Sequence, residues 1–172
     1  MKIQIGKHRV VVYQSCSSND LIRMGLKPDD NYNNFYYFTV THCITEEKLF
    51  SQVIGYDYET CEPILCCFNN LLNGLQVISD NKFYHFSFLD TKKNFVIELL
   101  TPVIAILPTE DALFVIHEVG AKKVSLAGNE IWDITTNDSI KNFKTDAEQK
   151  YLLVELYDSS HVKIQLSTGH VA

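Results

Sequence analysis

From residue 75 onward the chain repeats one pattern of hydrophobic and polar positions. Segments 75–99, 113–134 and 152–172 each begin with an apolar run, turn through a short polar or glycine-containing stretch, and continue as a second run. Leu89, Leu126 and Leu166 occupy the same position in this pattern. Their spacing of roughly 37–40 residues lies in the range of blade-like β repeats. The pattern predicts a pair of strands that is repeated two and a half times.

Strict alternation within the repeats indicates strands that bury one face. Tyr84, Phe86 and Phe88 alternate with His85, Ser87 and Leu89, and near the end of the chain Val162, Ile164 and Leu166 alternate with His161, Lys163 and Gln165. Burial of the apolar side would order each strand. Pro102 and Pro108 bound a further apolar run and should stand at the ends of its strand, because proline cannot donate to a ladder.

The first 70 residues are less regular, but they contain strand and helix signals. Strands are expected at 3–5, 9–14, 34–41 and 48–56. Ser18, Asn19 and Asp20 can cap a helical turn that runs through Met24 and stops at Gly25. Segment 63–72 begins with a proline, which suits the first turn of a helix, although a buried strand is the alternative.

These signals together predict a mostly β protein. We expect an antiparallel meander of about 10–13 strands, whose blade-like repeats form a sandwich, an open barrel or a partial propeller, with one or two short helices. A chain of 172 residues suits a single domain. Within that domain we expect an irregular β part at 1–74, with short helices, and a β-repeat part at 75–172.

The second repeat resembles the quinoprotein-type propeller repeat, in which a strand pair leads into a turn with glycine and tryptophan. The matching residues are Val124, Leu126, Gly128 and Trp132, and they recur in part as Ile164, Leu166 and Gly169. The resemblance covers about the last hundred residues and implies a scaffold without cofactor residues. Two and a half repeats cannot close a propeller, which typically needs about four to eight blades.

Composition and charge exclude several classes of protein. Hydrophobic residues make up 46% of the chain, which excludes disorder as the default, and no run approaches the ~18 apolar residues of a membrane span. The net charge is −6, with no basic run longer than two lysines, so nucleic-acid binding is not expected. Five cysteines without an export signal favour free thiols in the cytoplasm. A surface of this charge would suit a basic protein partner, or would simply maintain solubility.

No catalytic, metal or cofactor site is expected. Cys61, Cys66 and Cys67 have the spacing C-x4-C-C, which lacks the second close pair that a structural zinc site requires. Nothing in the sequence places His85 or His117 beside a cysteine nucleophile, and the common catalytic motifs are absent. Trp132 is expected to pack between neighbouring repeats, with its indole N–H bonded to a backbone acceptor.

Two clusters combine carboxylates with tyrosines, as protein interfaces do. The candidate partner-binding residues are Glu46, Glu47, Tyr56, Asp57, Tyr58 and Glu59 in the first cluster, and Asp29, Asp30 and Tyr36 in the second. The alternative for the first cluster is a solvated hairpin whose tyrosines pack inward.

The function expected from these features is non-catalytic protein binding. In its overall character the chain resembles small, acidic bacterial immunity-type proteins, which implies an inhibitor of a basic toxin domain. One alternative is a small-molecule-binding protein or enzyme with a pocket between the N-terminal part and the repeat sheet. Another is an assembly subunit, for instance a homodimer, that pairs through sheet edges.

Overall fold

The protein is mostly β, as the sequence predicts. The computed structural model describes residues 2–6, 8–29, 31–56, 64–66 and 72–172. In this part of the chain there are fifteen strands, which pair antiparallel in four meander sheets, one α-helix and one short 3-10 turn. No helix among the described residues has the length and the hydropathy needed to cross a membrane.

The chain divides into two compact units, 1–94 (unit 1) and 95–172 (unit 2). The elements of unit 1 are β1 (Lys2–Ile5), β2 (His8–Ser17), α1 (Ser18–Arg23), β3 (Asn34–His42), β4 (Lys48–Tyr56), β5 (Ile64–Cys66), β6 (Gly74–Ser79) and β7 (Lys82–Ser87). Those of unit 2 are β8 (Phe95–Glu98), β9 (Val103–Pro108), β10 (Ala112–His117), β11 (Gly120–Ser125), β12 (Glu130–Thr135), β13 (Ile140–Thr145), β14 (Tyr151–Leu156) and β15 (His161–Gln165). The sequence-based division at 74/75 falls inside unit 1, within strand β6 and directly after its first residue, Gly74.

The N-terminal strands of unit 1 form a meander in the order β1-β2-β3-β4. On β3 the alternating residues Tyr36, Phe38 and Val40 are almost fully buried, and they share one core with Leu75 and Val77 of β6. Removal of such a side chain from water stabilises the fold by about 2 kcal/mol. The four strand regions expected in this part of the sequence are therefore confirmed, and the part that looks irregular in sequence folds as a regular sheet.

Helix α1 begins with a reciprocal cap. The Ser17 hydroxyl accepts a hydrogen bond from the Asp20 backbone N–H at 3.3 Å, and the Asp20 carboxylate accepts one from the Ser17 N–H at 3.0 Å. This capping box satisfies two N–H groups that the helix itself leaves without partners. The helix packs Leu21 against Phe35 on the second face of β3 and ends before Gly25, as expected.

The C-terminal strands of unit 1 differ from expectation in two places. Residues 64–66 are a strand paired with β6, so of the two alternatives for segment 63–72 the strand holds at these positions and the helix does not. Residues 63 and 67–71 lie outside the described residues. On β7 both faces are buried, because Phe83 and His85 are covered as completely as Phe86. Gln76 of β6, also buried, meets His85 across the strands at 2.9 Å and satisfies the buried ring nitrogen.

Strands β9 to β15 of unit 2 form two meanders that share one core. Phe114 and Ile116 of β10 pack with Leu152, Val154 and Leu156 of β14. The predicted alternation along β15 is confirmed, since Ile164 and Leu166 are buried while His161 and Lys163 are exposed. Strand β9 starts directly after Pro102 and ends at Pro108, as the two prolines require.

The predicted repeat is visible in the strand positions. The hairpins β6–β7, β10–β11 and β14–β15 begin at Gly74, Ala112 and Tyr151, which are 38 and 39 residues apart. Val171 forms a single bridge to Ile164, at the place where a fourth strand of the last sheet would pair. The three hairpins therefore form the second and third strands of successive meanders, two of which have four strands and the last of which has three. This is the blade-like arrangement expected from the sequence.

Glycine and tryptophan of the repeat signature contact each other between successive repeats. A Cβ on Gly169, which has φ +75°, would lie 2.9 Å from Cγ of the Trp132 ring, and one on Gly128, with φ +82°, would lie 2.5 Å from Cγ of Phe95. The Trp132 indole N–H donates to the carbonyl of Leu166 at 3.3 Å. The expected structural role of Trp132 is confirmed, because the turn of one repeat covers the ring of the repeat before it.

Candidate functional site

The predicted partner-binding residues are only partly described by the structure. Asp30, Asp57, Tyr58 and Glu59 lie outside the described residues. Asp29 is exposed, and its carboxylate accepts hydrogen bonds from the Asn31 backbone N–H at 3.0 Å and from the Asn31 side chain at 2.9 Å. Asp29 is therefore fixed in a turn and directs its charge to solvent.

Glu46 and Glu47 lie in the turn of the β3–β4 hairpin. The turn is closed by the bonds from the His42 N–H to the Glu47 carbonyl, at 2.8 Å, and from the Glu46 N–H to the His42 carbonyl, at 3.0 Å. Both glutamates are exposed, and beside them Ile44 is 83% exposed. We call residues 43–48 the hairpin tip. It presents one apolar side chain next to two carboxylates.

Tyr36 and Tyr56 do not belong to a surface. They are 2% and 5% exposed, and their rings stack with centroids 4.5 Å apart inside the core of unit 1. Strands β3 and β4 pair directly, and alternation along both strands directs the two rings to the covered face. The inward-packing alternative therefore holds for Tyr56, and the two rings are excluded from the candidate surface.

Unit 2 brings together a tyrosine and carboxylates that are far apart in sequence. Tyr157 is 68% exposed, and its N–H donates to the Ser139 carbonyl at 3.0 Å. The neighbouring Asp158 N–H donates to the Asp138 carboxylate at 2.8 Å, and the Ser139 hydroxyl meets the Glu118 carboxylate at 3.4 Å. We call Glu118, Asp138, Tyr157 and Asp158 the acidic end of unit 2.

The loops that form the acidic end hold each other in place. The Ile140 N–H donates to the Glu118 carbonyl at 2.6 Å, which joins the β10–β11 turn to the start of β13. Hydrogen bonds from Ser160 hold the pKa of the Asp158 carboxyl below its usual value, so this group is negative at neutral pH. Hydrogen bonds therefore join three loops that carry the carboxylates of Glu118, Asp138 and Asp158 and the exposed side chain of Tyr157.

The excess negative charge of the chain is concentrated in unit 2. Residues 1–94 contain nine Lys or Arg and ten Asp or Glu, which gives a net charge of −1. Residues 95–172 contain six Lys or Arg and eleven Asp or Glu, which gives a net charge of −5. The acidic end was not predicted from the sequence, because its acidic residues are about 20 positions apart along the chain. A usable signal exists, since Glu118 and Asp158 follow equivalent strands β10 and β14 of the repeat.

The buried histidines have structural partners. Burial lowers the pKa of His85 to about 4, and it lowers the pKa of His117 as well, although the charge of Asp133 opposes that shift. His117 contacts the Thr101 hydroxyl at 2.9 Å. Neutral rings held in this way complete hydrogen bonds within the sheets.

The cysteines described by the structure do not form a cluster. Cys16 is buried, and burial raises the pKa of its thiol, while Cys43 is half-buried in the hairpin tip. Cys61 and Cys67 lie outside the described residues. Within the described ranges no group of three or more His, Cys, Asp or Glu side chains has the geometry of a metal site.

Lys122 forms the most enclosed ion pairs of unit 2. Its ammonium group lies 2.9 Å from the Asp133 carboxylate and 3.0 Å from that of Glu130, both on the neighbouring strand β12. Burial lowers the pKa of Lys122, but the hydrogen bonds and charges of the two carboxylates outweigh this effect and raise it overall. The three groups neutralise part of the negative charge on that sheet.

Comparisons with known proteins support the fold and no specific family. No protein-family model matches the chain, and no curated protein matches it. The dihydro-heme d1 dehydrogenase NirN, solved in complex with DHE, superposes with a TM-score of 0.50 at 12% identity, over 81% of this chain and 33% of that chain. Hsv2 from Kluyveromyces lactis superposes with a TM-score of 0.35 at 9% identity, over 80% of this chain and 58% of that chain. A protein of unknown function from Bacteroides caccae superposes with a TM-score of 0.40 at 8% identity, over 81% of this chain and 55% of that chain.

The chain thus spans between a third and three fifths of the length of these structures. NirN is β-propeller-like, and at 12% identity its similarity to this chain concerns the fold alone. That similarity agrees with the propeller-type repeats seen in the strand pattern.

Proposed function

We propose that this chain is a non-catalytic protein-binding module that holds a basic partner through the acidic end of unit 2. The observation that carries the proposal is the exposed side chain of Tyr157, which stands on a loop that hydrogen bonds join to the loops carrying Glu118 and Asp138. Tyrosine is enriched among the residues that dominate binding energy, because its rigid ring contributes a large contact area at a low entropic cost.

The charge of unit 2 supports a basic partner. A net charge of −5 on 78 residues attracts a positively charged protein over the Debye length, about 8 Å at physiological salt. The carboxylates on the joined loops then select the partner by complementarity at close range. Because the hydrogen bonds between loops exist before binding, little ordering is needed when the partner binds.

The specific form of the proposal is an immunity-type inhibitor that covers the active face of a basic toxin domain. Acidity and the similarity in character to small bacterial immunity-type proteins support this form. Co-expression with the protein encoded by the adjacent gene tests it. Growth should be rescued by the wild-type chain and lost with the Tyr157→Ala variant.

A quantitative test compares the acidic end with the hairpin tip. A basic partner is first isolated at stoichiometric level on the immobilised chain, and its Kd is then measured for the wild type, for Tyr157→Ala and for the doubly substituted Glu46→Lys/Glu47→Lys. Loss of a central tyrosine costs about 2 kcal/mol or more, so the Tyr157 variant should bind about 30-fold more weakly. The hairpin variant should retain affinity within a few-fold.

The opposite pattern would assign binding to the hairpin tip and refute the acidic end. Failure to isolate any basic partner at stoichiometric level from the native host would refute the function itself. Raising the salt concentration should weaken the complex, since exposed charges are screened.

A further inference from the structure

A groove runs across the outer face of the last sheet of unit 2. It has a volume of about 360 Å³ and lies on strands β13, β14 and β15. This volume is within the size range of small-molecule sites, about 300–1,000 Å³. The groove is separate from the acidic end, because Glu118, Asp138, Tyr157 and Asp158 are absent from its lining.

The strand register defines which side chains form the groove. Leu153 on the central strand stands between Lys144 of β13 and Lys163 of β15, and in the next row Glu155 stands between Asn142 and His161. Residues 152, 154 and 156 of the same strand point into the core and are at most 2% exposed. The two rows therefore occupy the face that points away from the core.

The cations of this face are held in position. Lys163 lies over the Tyr151 ring, with its ammonium 3.9 Å from the ring centroid. Lys141 is the extra residue of a β-bulge opposite Glu155, and its ammonium reaches that carboxylate at 2.6 Å. Bulges of this kind redirect a side chain. Here the redirected Lys141 neutralises Glu155, the only carboxylate side chain in the groove lining.

Two positive charges remain uncompensated in the groove. Within the described part of the chain, neither Lys144 nor Lys163 has a carboxylate at ion-pair distance, whereas Lys122, Lys123, Lys141 and Lys150 in the same unit each have at least one. The two ammonium groups flank the half-buried Leu153, which is the apolar side chain of the outward-facing rows. Positive charge on either side of an apolar floor is complementary to an amphiphilic anion.

The polarity of this face argues against coverage by another sheet. The covered face of the same sheet is apolar throughout, at Leu152, Val154, Leu156 and Ile164, whereas the outer face places lysines on both sides of its one leucine. Packing a second sheet over it would bury unpaired ammonium groups at a large cost.

We propose that the groove binds a small organic anion that combines one carboxylate or sulfonate with an aromatic or branched apolar group. Lys144 and Lys163 bind the anionic group, and Leu153 contacts the apolar group. His161, at the exposed border of the groove, provides a further hydrogen-bond donor or acceptor. This site is independent of the partner-binding function proposed above.

The test uses two fluorescent probes with the same rings and different charge. 8-Anilino-1-naphthalenesulfonate carries the sulfonate, and N-phenyl-1-naphthylamine lacks it. Both are titrated into the wild-type full chain, the Lys144→Ala/Lys163→Ala variant, and the matched control Lys150→Ala, which removes an exposed lysine that is paired with Glu148 outside the groove. Thermal unfolding of each variant shows that the fold is retained.

The expected result is saturable binding of the sulfonate, with a Kd that rises about tenfold or more in the double variant and stays unchanged in Lys150→Ala. N-phenyl-1-naphthylamine should bind the wild type and the double variant equally. Amide shifts caused by the sulfonate should lie in β13, β14 and β15, and Tyr157→Ala should leave them unchanged. The proposal is overturned by a lack of saturation up to about 1 mM, which is a weak-binding limit. It is equally overturned by shifts outside these strands or by affinity that does not respond to the two lysines.

Discussion

The contact between Gly169 and Trp132 allows a sharp test of how the repeats are joined. In Gly169→Ala the new methyl group would meet the Trp132 ring at 2.9 and 3.0 Å and Ile134 at 3.2 Å. Overpacking of this kind costs about 1–3 kcal/mol. The backbone at φ +75° adds about 1 kcal/mol for a residue with a Cβ. The free energy of unfolding of unit 2 should therefore fall by about 2–4 kcal/mol.

Gly25→Ala is the matched control for this substitution. Gly25 has nearly the same backbone angle, φ +74°, but a Cβ there would meet nothing within 4 Å. Only the conformational cost of about 1 kcal/mol should appear. Urea unfolding followed by far-UV circular dichroism measures both variants, and the fluorescence of the single tryptophan reports on unit 2 alone.

A double-mutant cycle isolates the contact itself. When Trp132 is replaced by leucine, the methyl group of Gly169→Ala loses its two shortest contacts, and its cost should fall towards that of Gly25→Ala. The contact that is left is with the flexible end of Ile134 at 3.2 Å. Equal costs for the two alanine variants in the wild-type background, or no coupling between positions 132 and 169, would refute the idea that the turn glycine is required by the ring.

Three further predictions concern stability. Trp132→Phe removes the N–H bond to the Leu166 carbonyl and should cost about 1 kcal/mol, measured by urea unfolding followed by circular dichroism. Because the pKa of His85 is lowered to about 4, unfolding takes up a proton as the pH falls from about 6.5 to 4. The free energy of unfolding should decrease over this interval by about 2 kcal/mol after allowance for solvent screening, and the decrease should be smaller in His85→Gln. Ser17→Ala removes the capping box with Asp20 and should cost about 1 kcal/mol in the same assay, whereas no change would contradict the cap.

The repeating hairpins could be predicted because their signal is local. Along β15 the exposed His161 and Lys163 alternate with the half-buried Val162 and the buried Ile164, and period-two alternation is what a half-buried strand produces. The run from Phe35 to Phe38 has apolar or aromatic residues at every position, so its sequence does not show which side faces the core. In the structure both sides are covered, one by α1 and one by the core of unit 1.

The candidate surfaces were harder to predict, for a different physical reason. Tyr36 and Tyr56 stand close to carboxylates in sequence, but side-chain direction depends on strand pairing, which places both rings in the core. The acidic end depends on contacts between loops that are about 20 residues apart. Composition shows that the acids exist, and only the topology of the sheets brings Glu118, Asp138 and Asp158 together.

The glycine that covers an aromatic ring in the preceding repeat also has a consequence during synthesis. The Phe95 ring gains its cover only after Gly128 has been added 33 residues later, and the Trp132 ring waits 37 residues for Gly169. At about 5–20 residues per second, each ring stays uncovered for about 2–7 s while the nascent chain grows. A ribosomal pause after a ring has emerged from the ribosome and before its glycine has emerged would lengthen that interval and favour aggregation. A pause after the glycine has emerged would give a finished repeat time to form.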